Sequence, residues 1–214
     1  MSEATKYVEE GAASAEFVCS ETLPNIFLIG DSIRKGYCKT VKSELEGKAE
    51  VFYVDDNCRS TQYVIFMFRK WAHMFDKPER VDVVHFNCGH WDMAHFSGTP
   101  ESLTSEEEYG RNIGKIIFLI RRYFPNAKIV FATTTPMNPN GGVGINPRYN
   151  HEVERYNEIA KSVCSSEGIE INDLHAFTRD WGEDYFKDYC HLTKEAFAEL
   201  GKMVAEKVVS GLTK

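Results

Sequence analysis

Short apolar runs alternate with longer amphipathic segments along most of this chain, and this alternation constrains the fold more than any other feature. The apolar runs predict five strands, at residues 26–29, 49–54, 81–86, 128–133 and 169–172. Short runs rich in Val, Ile and Phe are typical of parallel strands that are buried on both faces. The amphipathic segments predict five helices, at residues 33–45, 61–75, 105–123, 149–165 and 193–212.

A strand–helix alternation of this kind predicts an α/β fold, a three-layer α/β/α sandwich around a central parallel five-stranded sheet. We expect residues 25–214 to form a single domain, preceded by a loosely attached N-terminal extension at residues 1–24, which are mostly small and polar. Ligands bind to open parallel sheets at the carboxyl edge of the strands. The two long loops at that edge, residues 88–104 and 134–148, are therefore expected to surround the functional site.

Composition excludes several classes of function. The net charge of -7 argues against a nucleic-acid-binding face, and no window approaches the roughly 20 apolar residues of a membrane span. The N-terminus lacks the pattern of a secretory signal, which predicts a cytoplasmic protein, or a secreted one only if a signal has been removed. The six cysteines form no CxxC pair, so we expect free thiols. The sequence leaves the oligomeric state open.

The tripeptide Gly-Asp-Ser that ends at Ser32 directly follows the first predicted strand. One interpretation is structural, because either Asp31 or Ser32 can cap the next helix. The other is a nucleophile, which needs a base that is oriented by a third group. His191, just before the last predicted helix, is a suitable base, and Asp188 three residues earlier is a suitable orienting acid.

Gly-Asp-Ser after the first strand and Asp-x-x-His before the last helix together resemble the SGNH (GDSL-type) hydrolase family, over residues 26–212. The resemblance implies a flavodoxin-like sandwich in which Ser32 is the nucleophile, His191 the general base and Asp188 its orienting partner. It implies an esterase, lipase or carbohydrate deacetylase that works without a cofactor. We therefore expect a serine hydrolase that cleaves a small carboxylic ester, with an O-acetyl group on a carbohydrate as the leading candidate.

The oxyanion-binding motifs of that family match only in part. The loop after the second predicted strand, VDDNCRSTQY, lacks the family's glycine, and Cys58 or Arg59 stands at that point. The loop after the third reads NCGHWD, in which Gly89 and Asp92 match Gly-x-Asn-Asp while Trp91 replaces the asparagine. These departures favour an alternative function, a catalytically weakened protein of this fold that binds a glycan or acyl ligand.

Several backbone and side-chain groups are candidates for the donors to the oxyanion. The backbone N–H groups of Ser32 and Gly89 are expected donors, as is the N–H of Cys58 or Arg59. The Trp91 indole and the Asn87 amide are further candidates. Trp91 has a second interpretation as an aromatic wall of the substrate pocket.

The remaining polar residues near these motifs receive simpler interpretations. His90, Asp92 and His95 could hold a metal, but their spacing matches no zinc signature, so we expect no metal and assign them to the substrate pocket. Cys190 is expected to point away from the His191 ring, which disfavours a thiol mechanism. Arg148 could contact an anionic or polyhydroxyl substrate, but the preferred interpretation is a solvated loop arginine. A nucleotide or flavin binder is disfavoured because the chain has no phosphate-binding loop.

Overall fold

A computed structural model describes residues 16–210 and residue 212, and its centre is a sheet of five parallel strands. The strands are β1 (Asn25–Ile29), β2 (Glu50–Tyr53), β3 (Val81–Phe86), β4 (Lys128–Ala132) and β5 (Glu170–Asn172). They lie in the order β2-β1-β3-β4-β5, which is the flavodoxin-like order. The predicted five-stranded parallel sheet is therefore confirmed.

The helices flank this sheet and agree with the predicted ones to within a few residues at each end. They are α1 (Ser32–Glu44), α2 (Thr61–Ala72), α3 (Glu106–Tyr123), α4 (Asn150–Ser166), α5 (Leu174–Thr178) and α6 (Lys194–Val209). Helix α5 was not expected from the sequence, because its five residues are too few for an amphipathic period. The Asp173 carboxylate caps it by accepting a hydrogen bond from the Ala176 N–H (3.1 Å).

Two hydrophobic clusters cover the two faces of the sheet, so the three-layer sandwich is confirmed. On one face, Leu28 and its strand neighbours pack against α1 and α6. On the other face, Phe27 and its neighbours pack against α2, α3 and α4. Strands buried on both sides explain why the apolar runs of the sequence are continuous rather than alternating.

The segment before β1 corrects one prediction. Residues 1–15 of the predicted extension lie outside the described residues, but residues 16–24 are attached to the domain rather than loose. The Phe17 N–H donates to Met74 O (2.9 Å), and Phe17 O accepts from the Asp76 N–H (3.0 Å). The Phe17 ring packs 5.0 Å from Phe75 and 5.4 Å from Phe52, centroid to centroid. Aromatic burial therefore anchors this segment beside β2.

All six cysteines are buried and unpaired, which agrees with the expectation of free thiols. Within residues 16–210 we find no helix with the length and apolarity that a membrane crossing requires. The cytoplasmic location stays a prediction.

Candidate active site

Ser32 lies at the carboxyl edge of the sheet, where β1 ends and α1 begins. Asp31 caps α1, because its Oδ1 accepts a hydrogen bond from the Ile33 N–H (2.9 Å). Ser32 is the first residue of α1, and because it is not the cap, its side chain is free to contact another partner. The cap of α1 is therefore Asp31 and not Ser32.

The segment that holds Asp188 and His191 is a tight turn just before α6. The Lys187 N–H donates to His191 O (2.8 Å) and closes the turn. The loop after β4 supports it, since Asn138 donates from its side chain to Asp188 O (3.2 Å) and from its backbone to Tyr189 O (3.0 Å). The turn is therefore held at the same sheet edge as Ser32.

Ser32, His191 and Asp188 form a continuous hydrogen-bonded chain. His191 Nε2 lies 2.8 Å from Ser32 Oγ, and His191 Nδ1 lies 2.8 Å from Asp188 Oδ2. The other carboxylate oxygen, Oδ1, accepts from the backbone N–H groups of Cys190 (2.9 Å) and His191 (2.7 Å). Burial raises the pKa of Asp188, but these hydrogen bonds and the His191 ring outweigh it and hold the pKa below its usual value. Asp188 is therefore ionised at neutral pH.

Cys190 contradicts one expectation about its orientation. Its Sγ lies 3.6 Å from His191 Nδ1, so the thiol does reach the neighbouring ring. Burial is the main cause that raises the pKa of Cys190 to about 12, so the sulfur is a neutral thiol at physiological pH. Since Asp188 already occupies Nδ1 and the basic Nε2 faces Ser32, the geometry favours the serine as nucleophile.

Two backbone N–H groups that follow the carboxyl ends of β1 and β3 are available as hydrogen-bond donors. Within the described part of the chain, the N–H groups of Ser32 and Gly89 have no hydrogen-bond acceptor. Gly89 follows β3, the neighbour of β1, and its backbone packs tightly on the loop after β4. A Cβ at this position would lie 2.1 Å from Thr134 Oγ1, so only glycine fits there.

The loop after β2 does not provide the donor expected from it. The Cys58 N–H donates to Gly30 O (3.1 Å), and the Arg59 N–H donates to the side chain of Asn57 (3.1 Å). Cys58 is fully buried, while the Arg59 side chain lies over the Tyr63 ring. The expectation that Cys58 or Arg59 supplies an oxyanion N–H is therefore wrong for this arrangement of the loop.

The two side-chain candidates for the missing donor also have other roles. Asn87 is buried, and its Nδ2 donates to Asp31 Oδ1 (2.9 Å), so it supports the cap of α1. The Trp91 ring packs 5.9 Å from the Phe96 ring and 5.9 Å from the guanidinium carbon of Arg148. This packing favours the interpretation of Trp91 as an aromatic wall.

The structure places two of the three predicted pocket residues elsewhere. Asp92 is fully buried and accepts hydrogen bonds from the Thr61 N–H (3.1 Å) and hydroxyl (2.6 Å), so it holds the N-terminus of α2. Burial raises the pKa of Asp92 to about 6, against the effect of these bonds. His95 is bonded through both ring nitrogens, to Thr99 O (2.8 Å) and Glu152 Oε1 (2.8 Å). The assignment of Asp92 and His95 to the pocket is corrected.

His90 lies closer to the candidate triad. It is buried, and its Nε2 lies 3.2 Å from Thr135 Oγ1, while its Nδ1 has no partner within the described ranges. Burial lowers the pKa of His90 well below its usual value, and the nearby Arg148 and His191 lower it further. His90 is therefore a neutral imidazole at the edge of the site.

Arg148 is the residue whose environment differs most from the preferred sequence interpretation. It is 6% exposed, not solvated, and it joins the loop after β3 to the turn before α6. Its Nε donates to His90 O, and its Nη1 donates to the Tyr189 hydroxyl (3.2 Å). A single arginine in a Gly-, Pro- and Asn-rich loop carries no local signal of burial, because its partners lie far away in the sequence.

A doubly wound parallel sheet with a hydrogen-bonded Ser, His and Asp at its carboxyl edge is the arrangement of an α/β serine hydrolase. The model of the GDSL-like lipase/acylhydrolase family matches residues 28–198. The chain belongs to this family, which places it among the enzymes that hydrolyse acyl esters. No curated protein matched the sequence.

Solved structures share the fold over most of their length. A lipase/acylhydrolase from Enterococcus faecalis has 19% identity and a TM-score of 0.70, with 90% of this chain and 98% of that chain covered. An acetyl xylan esterase has 14% identity and a TM-score of 0.68, with 86% and 99% covered. A putative platelet activating factor from Streptococcus pneumonia has 22% identity and a TM-score of 0.69, with 88% and 86% covered. At these identities the likeness establishes the fold alone.

Proposed function

We propose that this protein hydrolyses a small carboxylic ester, an O-acetyl group on a carbohydrate being the leading substrate, through an acyl-enzyme on Ser32. The observation that carries the proposal is the chain of two 2.8 Å contacts from Ser32 through His191 to Asp188. An acetyl xylan esterase among the structures of the same fold supports the choice of a carbohydrate ester. Neither a metal nor a cofactor enters the proposed reaction.

In the first half-reaction, Ser32 Oγ attacks the carbonyl carbon while His191 Nε2 takes the hydroxyl proton. A bond forms between Oγ and carbon, and the carbonyl electron pair moves onto oxygen. Ionised Asp188 fixes the His191 tautomer with the proton on Nδ1 and stabilises the imidazolium. Collapse of the tetrahedral intermediate breaks the bond to the alcohol oxygen, which receives its proton from His191.

In the second half-reaction, water replaces the alcohol. His191 Nε2 takes a proton from the water as it attacks the acyl carbon, and the acid leaves as Ser32 regains its proton. The N–H groups of Ser32 and Gly89 are the proposed donors to the oxyanion in both halves. A donor of this kind contributes on the order of 100- to 1000-fold to turnover, so two such groups support a functional enzyme.

The Ser32→Ala variant tests the proposal. We expect it to lower kcat on 4-nitrophenyl acetate on the order of 10,000-fold or more, because the nucleophile is lost while its helix remains capped by Asp31. Ser43→Ala is the matched control, since Ser43 is exposed on the same helix. Undiminished hydrolysis by Ser32→Ala would refute the proposal.

Covalent labelling separates the enzyme from the alternative function. A fluorophosphonate should label Ser32 in the intact protein and leave the Ser32→Ala variant unlabelled. Absence of labelling together with measurable binding of an acetylated oligosaccharide would instead support a catalytically weakened glycan-binding protein.

A further inference from the structure

We propose that Arg148 is a specificity-determining residue that binds a carboxylate on the substrate, next to the ester that Ser32 attacks. This inference rests on the proposed function. It makes the preferred substrate a carboxylate-bearing ester rather than a neutral one.

The first argument is the burial of a cation without an ion-pair partner. Arg148 is 6% exposed, yet its partners in the described part of the chain are all neutral: His90 O, Asn146 O (3.3 Å) and the Tyr189 hydroxyl (3.2 Å). A buried charge is costly unless it is paired, and guanidinium groups are almost never neutral. Within the described residues, the Arg148 guanidinium therefore has no carboxylate in direct contact.

The second argument concerns Nη2, the guanidinium nitrogen that these hydrogen bonds do not use. The bonds to the three neutral partners use Nε and Nη1, whereas Nη2 has no partner within residues 16–210. Nη2 is also not among the side-chain atoms that are both fully buried and unpartnered, so it retains some solvent-accessible area. Two N–H donors of a fixed cation thus remain available to a ligand.

The third argument is the position of Arg148 at the reactive groups. Its guanidinium carbon lies between two aromatic rings, 5.9 Å from the Trp91 centroid and 5.8 Å from the Tyr189 centroid. Trp91 follows Gly89 by two residues, and Tyr189 precedes His191 by two. The cation therefore stands between the proposed oxyanion loop and the turn that carries the base.

The charges around Arg148 favour a single carboxylate over a dianion. The other titratable groups that face it are His90 and Cys190, both neutral, and buried Asp31, whose pKa burial raises. One carboxylate balances one guanidinium, whereas a phosphate dianion would leave an excess negative charge. The planar fork of a guanidinium also matches the two oxygens of a carboxylate.

The test compares charged and neutral esters of the same shape. For a carboxylate on the acyl side, the pair is 4-nitrophenyl hemisuccinate and 4-nitrophenyl succinamate. For a carboxylate on the alcohol side, the pair is 4-carboxyphenyl acetate and 4-carbamoylphenyl acetate. We expect kcat/KM to favour the carboxylate in one pair on the order of 10- to 100-fold, and that pair identifies the side.

Substitution of Arg148 should remove this preference. We expect the carboxylate-to-amide ratio to fall close to 1 in Arg148→Met, to be partly retained in Arg148→Lys, and to be unchanged in Arg122→Met, a control at an exposed arginine. The ratio is informative even if the variant loses some overall activity or stability. An equal loss on both members of each pair, or no preference in the intact protein, would overturn the proposal.

A binding measurement keeps this inference separate from the proposed function. In the Ser32→Ala background, calorimetry should show that succinate monoamide or 4-hydroxybenzoate binds on the order of 10-fold or more tightly than its neutral amide, and that Arg148→Met abolishes the difference. Equal affinities would overturn the role of Arg148 even if Ser32 is the nucleophile. A retained difference without any hydrolysis would instead refute the esterase while supporting the carboxylate site.

Discussion

Replacement of Asp188 by Asn should inactivate the enzyme while leaving its fold intact. The Asp188 Oδ1 position accepts two backbone N–H groups, from Cys190 (2.9 Å) and His191 (2.7 Å). An amide NH₂ cannot accept these bonds, so the asparagine oxygen must take the Oδ1 position. The asparagine Nδ2 then faces His191 Nδ1 at the 2.8 Å position of Oδ2.

This forced orientation selects the wrong tautomer of His191. Because the amide donates to Nδ1, the ring proton moves to Nε2, which then points a hydrogen at Ser32 Oγ and cannot accept its proton. Loss of the base and of the negative charge together should lower kcat on the order of 1,000- to 10,000-fold, or about 4–5.5 kcal/mol in activation free energy. The free energy of unfolding should change little, since both backbone bonds persist.

The assay is kcat on 4-nitrophenyl acetate, with the free energy of unfolding measured in urea. Asp188→Ala separates the two roles of the carboxylate: it should also be inactive, and in addition lose about 1–3 kcal/mol of stability, because two N–H groups lose their acceptor. Asp180→Asn, at an 88% exposed side chain, is the control. Turnover by Asp188→Asn within ten-fold of the intact protein would refute the orienting role.

Two further predictions follow from buried positions at the sheet. Gly89→Ala should lower kcat on the order of 10- to 1000-fold, because a Cβ only 2.1 Å from Thr134 Oγ1 must displace the N–H of the oxyanion loop. The control is Gly114→Ala, which should stay active because nothing lies within 4 Å of a Cβ at that position. Equal activity of both variants would contradict the steric argument. His85→Gln should make stability less sensitive to acid. Burial lowers the pKa of His85 from 6.5 to about 3, so the neutral ring contributes stability above pH 6.5 that is lost as the pH falls towards 3. The slope of unfolding free energy against pH, between pH 6 and 4, should therefore fall by about 1.4 kcal/mol per pH unit in the variant, and an unchanged slope would contradict the assignment.

The elements of the fold were predictable because their signals are local. Val81–Phe86 is rich in valine and almost entirely buried, so its bounds in the sequence and in the structure agree. Errors occur where the signal is tertiary. Phe17 belongs to a polar stretch, and its anchoring depends on a pocket formed by Phe52 and Phe75, far away in the sequence.

The candidate site divides in the same way. Ser32, Asp188 and His191 could be proposed because Gly-Asp-Ser and Asp-x-x-His resemble the motifs of the family and lie at a strand end and a helix start, where residues reach the carboxyl edge of the sheet. The partners of Asp92 and His95, Thr61 and Glu152, lie 31 and 57 residues away, so their structural roles were not visible in the sequence. A role that depends on contacts between loops can be recognised only from the three-dimensional structure.

The loop after β2 explains why the site can lack the glycine that its family places there. Buried Arg34, on α1, donates to Gly30 O (3.2 Å) and to Val54 O (3.0 Å), and the Cys58 N–H donates to the same Gly30 oxygen. The loop is thereby fastened to the end of β1, two residues before Ser32, and its hydrogen bonds position the serine rather than the substrate. The chemistry then falls to the loops after β3 and β4 and to the turn before α6. Since Arg148 joins the first of these to the last, the cation that we propose to bind the substrate carboxylate also connects the loops of the site.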